Sequence, residues 1–273
     1  MGATSDIRYA YSSPLSWAGY LLGFGLGGFF DGILLHQILQ WHHLLVNVDG
    51  PLFQDMRTQI LADGLFHLLM YVISVVGLWK LWRARKDYAR PGADRLLLGN
   101  AFTGFGTWHI LDGILSHWIL DIHRIRVKAD NVLLWDLLWF FAFGVAFVVI
   151  GLLIRKRADG SDGNGGSGTR RRTAASALVL ALTVMIAGPI AALPPRDVST
   201  VMVFFKPGTP AVDIFRSIDE AGGRIIWTAD TGDIWAVDVK DKSRTRVFYR
   251  HGAYLVSNSA VAVGCLAWSA VRS

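Results

Sequence analysis

A pattern of twenty residues that occurs twice places ionisable side chains inside segments apolar enough to span a membrane. Residues 23–42 read GFGLGGFFDGILLHQILQWH and residues 104–123 read GFGTWHILDGILSHWILDIH, with eleven identical positions. Each copy carries an Asp followed by two His in the same register. Ionisable groups are costly in a bilayer and usually have a partner there. The repeat therefore predicts a shared polar site built by two copies of one structural unit.

The composition is that of a multi-pass membrane protein. Of the 273 residues, 52% are hydrophobic, which is high for a soluble domain with this many charged loops. The net charge is +6, but the Lys and Arg residues cluster at the ends of hydrophobic runs, which indicates membrane orientation and no nucleic-acid partner. One cysteine, Cys265, excludes a disulfide framework or a thiolate metal cluster within one chain.

Hydropathy predicts an all-α membrane unit of four helices, followed by a fifth anchoring helix, with the lipid bilayer as the surrounding partner. The Gly- and Ser-rich segment before the fifth span has few side chains that could build a core, so we expect a flexible linker. The predicted spans cover residues 15–45, 60–81, 96–123, 132–154 and 174–193; the predicted divisions are a membrane domain over 1–157, a linker over 158–172, an anchor over 173–195 and a C-terminal domain over 196–273.

The basic residues predict the orientation in the plasma membrane. The loop after span two and the segment after span four hold most of the Lys and Arg, so both are expected in the cytoplasm, with the N-terminus. The C-terminal domain is then extracytoplasmic, and the repeated His and Asp residues lie in the outer half of the membrane. Because Asp63 in span two aligns with Asp136 in span four, the unit is predicted to be two parallel hairpins related by a pseudo-twofold axis.

An ideal α-helix cannot direct all the polar residues of one copy to one point. At about 100° per residue, Asp31 and His42 share one stripe of the helix, and His36 and His43 form a second stripe about 120° away. Two alternatives remain open: the stripes face different helices, or a bulge at the Asp-Gly step rotates the residues that follow.

The residue types suit a transition metal such as Cu, Fe or Zn, because imidazoles and carboxylates bind all three. One alternative is haem, with His36 and His117 as axial ligands from parallel spans. Another is a polar network that only holds the helices together. The predicted metal ligands are His36, His42, His117, His123, His67, Asp63 and Asp136; the predicted supporting residues are Asp31, Asp112, His43, His109 and Asp121, the last paired with His117 at helical spacing.

Simpler roles compete with these assignments. Asp63 and Asp136 lie near the starts of their spans, where a carboxylate can cap a helix. The glycines of the repeated GFG could be close-packing surfaces between helices, or make room for a flat cofactor. No residue is predicted to be catalytic. Metal handling, electron transfer and a non-catalytic scaffold therefore all stay open, and whether the protein is an enzyme is uncertain.

Three stretches resemble a known family. FFDGILLHQILQWHH, LADGLFH and LLWD look like the bacterial family of predicted four-span membrane proteins catalogued as domain of unknown function 2243, over about residues 15–157. The resemblance implies a four-helix unit in the bacterial inner membrane and no established activity. In that family the second copy often ends in a His pair, whereas this chain has His123 followed by Arg124. The polar core that the resemblance implies is Asp31, His36, His42, His43, Asp63, His67, His117, His123 and Asp136.

The C-terminal domain is predicted to be a separate α+β unit. Its pattern of strand, helix, two strands, helix and strand is that of a ferredoxin-like fold. It has no phosphate-binding loop and no metal-ligand spacing, so we expect a module that binds an extracytoplasmic protein partner. The predicted strands cover 199–206, 224–230, 233–239 and 254–268, the helices cover 210–221 and 242–251, and Cys265 is expected to be buried in the last strand.

Overall fold

A computed structural model describes residues 13–39, 41–54, 56–159, 166–192, 199–229 and 231–257. The chain is mostly helical, with a small sheet near its C-terminal end. The first seven α-helices among the described residues are α1 (Pro14–Asp31), α2 (Pro51–Gln54), α3 (Met56–Arg83), α4 (Ala93–Asp112), α5 (Val132–Trp139), α6 (Ala146–Asp159) and α7 (Ser167–Ala192). π-Helical segments follow α1 (Gly32–Ile38) and α4 (Gly113–Ile119) and join α5 to α6 (Phe140–Val145).

Four helical stretches within the described residues are long and apolar enough to cross a membrane: Pro14–His36, Leu61–Asp87, Val132–Arg157 and Ser167–Ala191. They correspond to the predicted spans one, two, four and five. The helix of the predicted third span, α4, is not among them, and it carries Asn100, Thr103 and Thr107. Each of these side chains donates a hydrogen bond to a carbonyl one turn earlier in α4, which satisfies its polar group inside the bundle.

Helices α1 and α4 approach each other at contacts that only glycine allows. A Cβ added at Gly23 would lie 2.6 Å from the carbonyl carbon of Ala101, and a Cβ added at Gly104 would lie 2.9 Å from the carbonyl carbon of Tyr20. Both distances are shorter than real Cβ atoms show. The interpretation of these two glycines as close-packing surfaces is therefore confirmed. Because they have no side chain, the backbones of α1 and α4 come into direct contact.

Helix α7 packs against the membrane unit. Its residues Ala177, Leu180 and Val184 join a buried cluster with Leu22 of α1 and Leu97 of α4. Residues 158–172 are predicted to be a flexible linker, and the structure describes both ends of this segment. Helix α6 extends to Asp159 and α7 already begins at Ser167.

The polar first part of α7 also packs against the membrane unit. The side chain of Thr173 is fully buried, and the Arg172 guanidinium lies 3.4 Å from the carboxylate of Asp94 at the start of α4. Further along, the Tyr71 hydroxyl of α3 donates to the Gly188 carbonyl of α7 at 2.6 Å. The fifth helix is thus held to the others at both of its ends.

The C-terminal part contains a four-stranded antiparallel sheet with the strand order β2-β3-β1-β4. Alternation along β1 directs Val203 to the face covered by Ile214, Ile218 and Phe248 of the two helices, and Met202 to the other face. The predicted order of strands and helices agrees with the structure, whereas residues 258–268 of the predicted last strand, with Cys265, lie outside the described residues. The elements are β1 (Thr200–Phe205), α8 (Ala211–Glu220), β2 (Gly223–Thr228), β3 (Ile234–Val239), α9 (Arg246–Arg250) and β4 (Ala253–Ser257).

Candidate metal centre

Both copies of the repeat leave α-helical geometry immediately after their Asp-Gly step. In the first copy, the Leu39 N–H donates to the carbonyl of Leu34, five residues earlier, at 2.8 Å, and the equivalent bond in the second copy has the same length. The wider π-turn rotates the later residues relative to Asp31 and Asp112. Of the two alternatives left open by helix geometry, the structure thus contains the bulge.

The first copy brings Asp31, His36 and His42 together. The Nε2 atoms of the two imidazoles lie 3.1 Å apart, and Nε2 of His42 lies 3.9 Å from the Asp31 carboxylate. All three side chains are buried. Their ligand atoms lie within 4.8 Å of one another, so the three residues could hold a metal ion. We call this set the first triad.

The second copy forms an equivalent set, the second triad, from Asp112, His117 and His123. The Asp112 carboxylate lies 3.1 Å from Nε2 of His117 and 3.4 Å from Nε2 of His123. These residues are also buried, and their ligand atoms also lie within 4.8 Å of one another. The two triads meet where the rings of His42 and His123 stack, with centroids 4.6 Å apart and an interplanar angle of 8°.

Backbone carbonyls fix the orientation of the two stacked rings. Nδ1–H of His42 donates to the Ile125 carbonyl at 2.9 Å, and Nδ1–H of His123 donates to the Leu44 carbonyl at 3.0 Å. Because a carbonyl only accepts, each Nδ1 carries a proton, so in the neutral ring each Nε2 has a lone pair, which faces its own triad. Metal-binding histidines are commonly oriented in this way. Each carbonyl comes from the loop that follows the opposite copy of the repeat.

Asp63 of α3 supports the first triad. One of its carboxylate oxygens accepts from the Leu44 N–H at 3.1 Å and lies 3.5 Å from Nδ1 of His36. The other oxygen accepts from Nδ1–H of His43 at 2.9 Å. Asp63, His36 and His43 form a third group that could hold a metal ion.

Asp136 of α5 supports the second triad through matching contacts. One oxygen accepts from the Ile125 N–H at 3.0 Å and lies 3.2 Å from Nδ1 of His117. The other accepts from the Arg124 guanidinium at 3.1 Å. Arg124 thus occupies in the second half the position that His43 occupies in the first. Its partial burial lowers the pKa of the guanidinium, but hydrogen bonds to Asp121 and Asp136 raise that pKa above its ordinary value overall.

Helix capping does not explain Asp63 or Asp136. Asp63 lies two turns inside α3, and Asp136 lies inside α5, whose N-cap is Asn131. The capping interpretation is therefore wrong for both residues. Their carboxylates instead accept backbone N–H groups from the loops that follow the repeats, which explains why they lie at the depth of the histidines.

Two predicted site residues lie beside the triads without joining them. Nδ1–H of His67, predicted to be a ligand, donates to the Asp63 carbonyl at 2.7 Å, and His67 is in none of the three groups found among the described residues. Nδ1 of His109 accepts from the Trp139 indole N–H at 3.1 Å. His109 must then carry its proton on Nε2, so neither of its nitrogens is free to bind a metal ion.

The predicted pair of His117 with Asp121 is not formed. Asp121 is 61% exposed and binds Arg124 at 2.8 Å. It has a positive φ of 50°, a conformation that Asp tolerates better than most residues, so it turns the chain rather than continuing the helix. His117 contacts Asp112 and Asp136 instead, because the π-turn has rotated it away from the helical spacing.

Sequence reasoning missed the role of Arg124 and assigned Asp31 and Asp112 to supporting positions. The structure places both carboxylates beside the Nε2 atoms of the triads. The register of the repeat contained the signal for Arg124, since Arg124 aligns with His43. The departure from a His pair at Arg124 does not by itself indicate the contact with Asp136.

Comparison with known proteins agrees with a membrane location. Residues 18–158 match the model of a family described as "Predicted membrane protein (DUF2243)". No curated protein and no solved structure matches the chain. The matched segment contains both copies of the repeat and every residue of the two triads.

Proposed function

The chain belongs to this family of predicted membrane proteins, and on that premise we propose that it is a bacterial inner-membrane protein whose buried triads bind a transition metal for metal handling or redox chemistry. The observation that carries the proposal is the convergence of two sets of one carboxylate and two imidazoles. Such a set binds Fe, Zn or Cu and leaves coordination positions open for other ligands. The metal would supply Lewis-acid or redox chemistry, while the chain orients the ligands and excludes water.

The two possible positions of the proton on neutral His36 also support a cation in the first triad. If neutral His36 carries its proton on Nδ1, facing Asp63, its Nε2 lone pair faces the lone pair of His42 at 3.1 Å. If the proton is on Nε2, the Nδ1 lone pair faces the Asp63 carboxylate at 3.5 Å. Each neutral form leaves one repulsive contact in a buried site. A cation at Nε2 removes the conflict, whether it is a second proton on His36 or a metal ion, and the first triad supplies three ligand atoms for a metal ion.

Metal ions fit these contacts better than haem. Axial ligation would require Nε2 of His36 and Nε2 of His117 to face a macrocycle. Instead these atoms lie 3.1 Å from His42 and 3.1 Å from Asp112, respectively. The stacked rings of His42 and His123 lie between the two sets. A haem would have to separate all of these contacts, whereas a single ion needs only the space between three ligand atoms.

We also propose the architecture around the site. The matching contacts of the two copies support two parallel hairpins related by a pseudo-twofold axis. The charge distribution supports a cytoplasmic N-terminus, with the triads in the outer half of the membrane. The strand order β2-β3-β1-β4, with two helices on one face, supports a ferredoxin-like C-terminal domain that binds an extracytoplasmic protein.

Metal analysis and an absorption spectrum of the purified protein test the function. We expect a stoichiometric transition metal without a Soret band. We also expect His36→Ala to lose metal while the variant still inserts and elutes as a single species in detergent. His109→Ala is the matched control, because His109 is equally buried but faces Trp139. A Soret band would indicate haem, and protein without any metal would mean that the polar residues only pack the helices.

A further inference from the structure

We propose that the two triads bind two separate metal ions, and that the first triad binds its ion more tightly than the second. This inference rests on the proposed function and specifies the number and the inequality of its sites. It depends on three features of the structure: the separation of the ligand sets, the contact between them, and the exchange of His43 for Arg124.

The ligand sets are separate. Metal–ligand distances to His and Asp are about 2.0–2.2 Å, so two ligand atoms on one ion lie at most about 4.4 Å apart. Among the described residues, none of the three groups that come close to this limit combines a residue of the first triad with a residue of the second. The rings of His42 and His117, from different copies, have centroids 6.5 Å apart. One ion bound by either triad therefore leaves the other triad with three ligand atoms of its own.

The third group, of His36, His43 and Asp63, is the weaker alternative for the first ion. In it, His43 and Asp63 already bond to each other, and Asp63 also accepts from Leu44. The two groups differ in their carboxylates: that of Asp63 already accepts two hydrogen bonds, whereas Oδ1 of Asp31 is buried without a hydrogen-bond partner among the described residues. Such an atom carries a large desolvation cost until a ligand satisfies it.

The two ions would lie close together, because their ligands touch. His42 and His123 stack face to face, one from each triad. Each ring is also anchored by a carbonyl from the loop that follows the other copy. The centre is therefore expected to be a pair of neighbouring ions bound by four imidazoles and two carboxylates, rather than two remote sites.

The difference in metal affinity between the two triads follows from the contacts of Asp63 and Asp136, which lie behind the ligands. Asp63 faces Nδ1 of His36, and Asp136 faces Nδ1 of His117, and a carboxylate in this position makes the imidazole a better metal ligand. In the second half, the Arg124 guanidinium shares the charge of Asp136, whereas the first half has an imidazole in that place. Arg124 also adds a positive charge near the second ion, and both effects weaken binding by the second triad.

Titration of the full-length protein with Zn²⁺ in detergent, after removal of bound metal by a chelator, tests the proposal. We expect two Zn²⁺ ions per chain with dissociation constants that differ by roughly tenfold or more, as is usual when an outer contact to a ligand changes. Asp31→Asn should abolish the tighter site and Asp112→Asn the weaker one. Both substitutions keep the shape of the side chain, and His109→Ala should retain both sites.

A matched pair of exchanges tests the inequality without removing a ligand of either triad. Arg124→His should strengthen the weaker site and bring the two dissociation constants together, and His43→Arg should weaken the tighter site. One Zn²⁺ per wild-type chain would overturn the two-ion proposal and leave the proposed function standing, whereas none would overturn both. Two sites of equal affinity, unchanged by Arg124→His, would overturn the inequality.

Discussion

Replacing Gly23 by Ala tests whether the approach of α1 and α4 sets the geometry of the triads. The added Cβ would lie 2.6 Å from the Ala101 carbonyl carbon, whereas ordinary contacts begin at 3.4 Å, so the helices must separate by roughly 1 Å. Overpacking of this kind costs about 1–3 kcal/mol. For a chain of this size, a loss of about 2 kcal/mol lowers the melting temperature by about 4–8 °C.

The displacement should also reach the metal centre. Asp31 lies eight residues beyond Gly23 on the same rigid helix, a distance of about 12 Å. A shift between α1 and α4 therefore moves Asp31 and the first triad against the second. We expect Gly23→Ala to lower both the melting temperature and the amount of bound metal.

Thermal unfolding in detergent, with metal analysis of the same samples, measures both effects. Gly64→Ala in α3 is the control, because nothing lies within 4 Å of the added Cβ and Ala favours a helix by up to about 1 kcal/mol. If Gly23→Ala melted at the wild-type temperature with its metal intact, the contact between α1 and α4 would not position the triads.

Two further predictions concern the organisation of the chain. A reporter that is active only outside the cytoplasm should be active when fused after Ser273 and inactive when inserted at Gly165; the opposite result would place the triads in the inner half of the membrane. A chain that ends after Ala192 should keep its metal and elute as a single species in detergent, whereas one that ends after Asp159 lacks α7, uncovers Leu22 and Leu97, and should lose metal. Full metal in the shorter chain would show that α7 is a separable anchor.

Hydropathy and the repeat predicted most of the helices, but not where the first and third end. The predicted spans reach residues 45 and 123, whereas regular helical structure ends at Ile38 and Ile119. Some apolar residues near these points are buried around the site, as Val46 and Ile125 are, whereas Leu39 and Leu120 are exposed. Apolar composition indicates burial in lipid or protein, and it does not distinguish a helix from a buried loop.

The sequence located the residues of the candidate site, but it did not predict how their side chains come together. Eleven identities located the repeated Asp and His residues, but the spacing of an ideal helix separates His36 from His42. The π-segments that bring them together have no signal in the hydrophobic period. Arg124 contacts a buried carboxylate, which counting Lys and Arg residues cannot show, because the count does not tell which of them turns inward.

In each half of the membrane unit, one histidine ring is oriented by a backbone carbonyl of the other half, and this limits how the chain can be divided. His42 depends on the Ile125 carbonyl and His123 on the Leu44 carbonyl, so neither half contains all the groups that orient its own ligands. An isolated half would have a histidine ring free to turn, and two identical halves could complete each other by the same exchange. The contacts between the two halves resemble those between the subunits of a symmetric dimer, with Arg124 in the place of His43 as one position at which the halves differ.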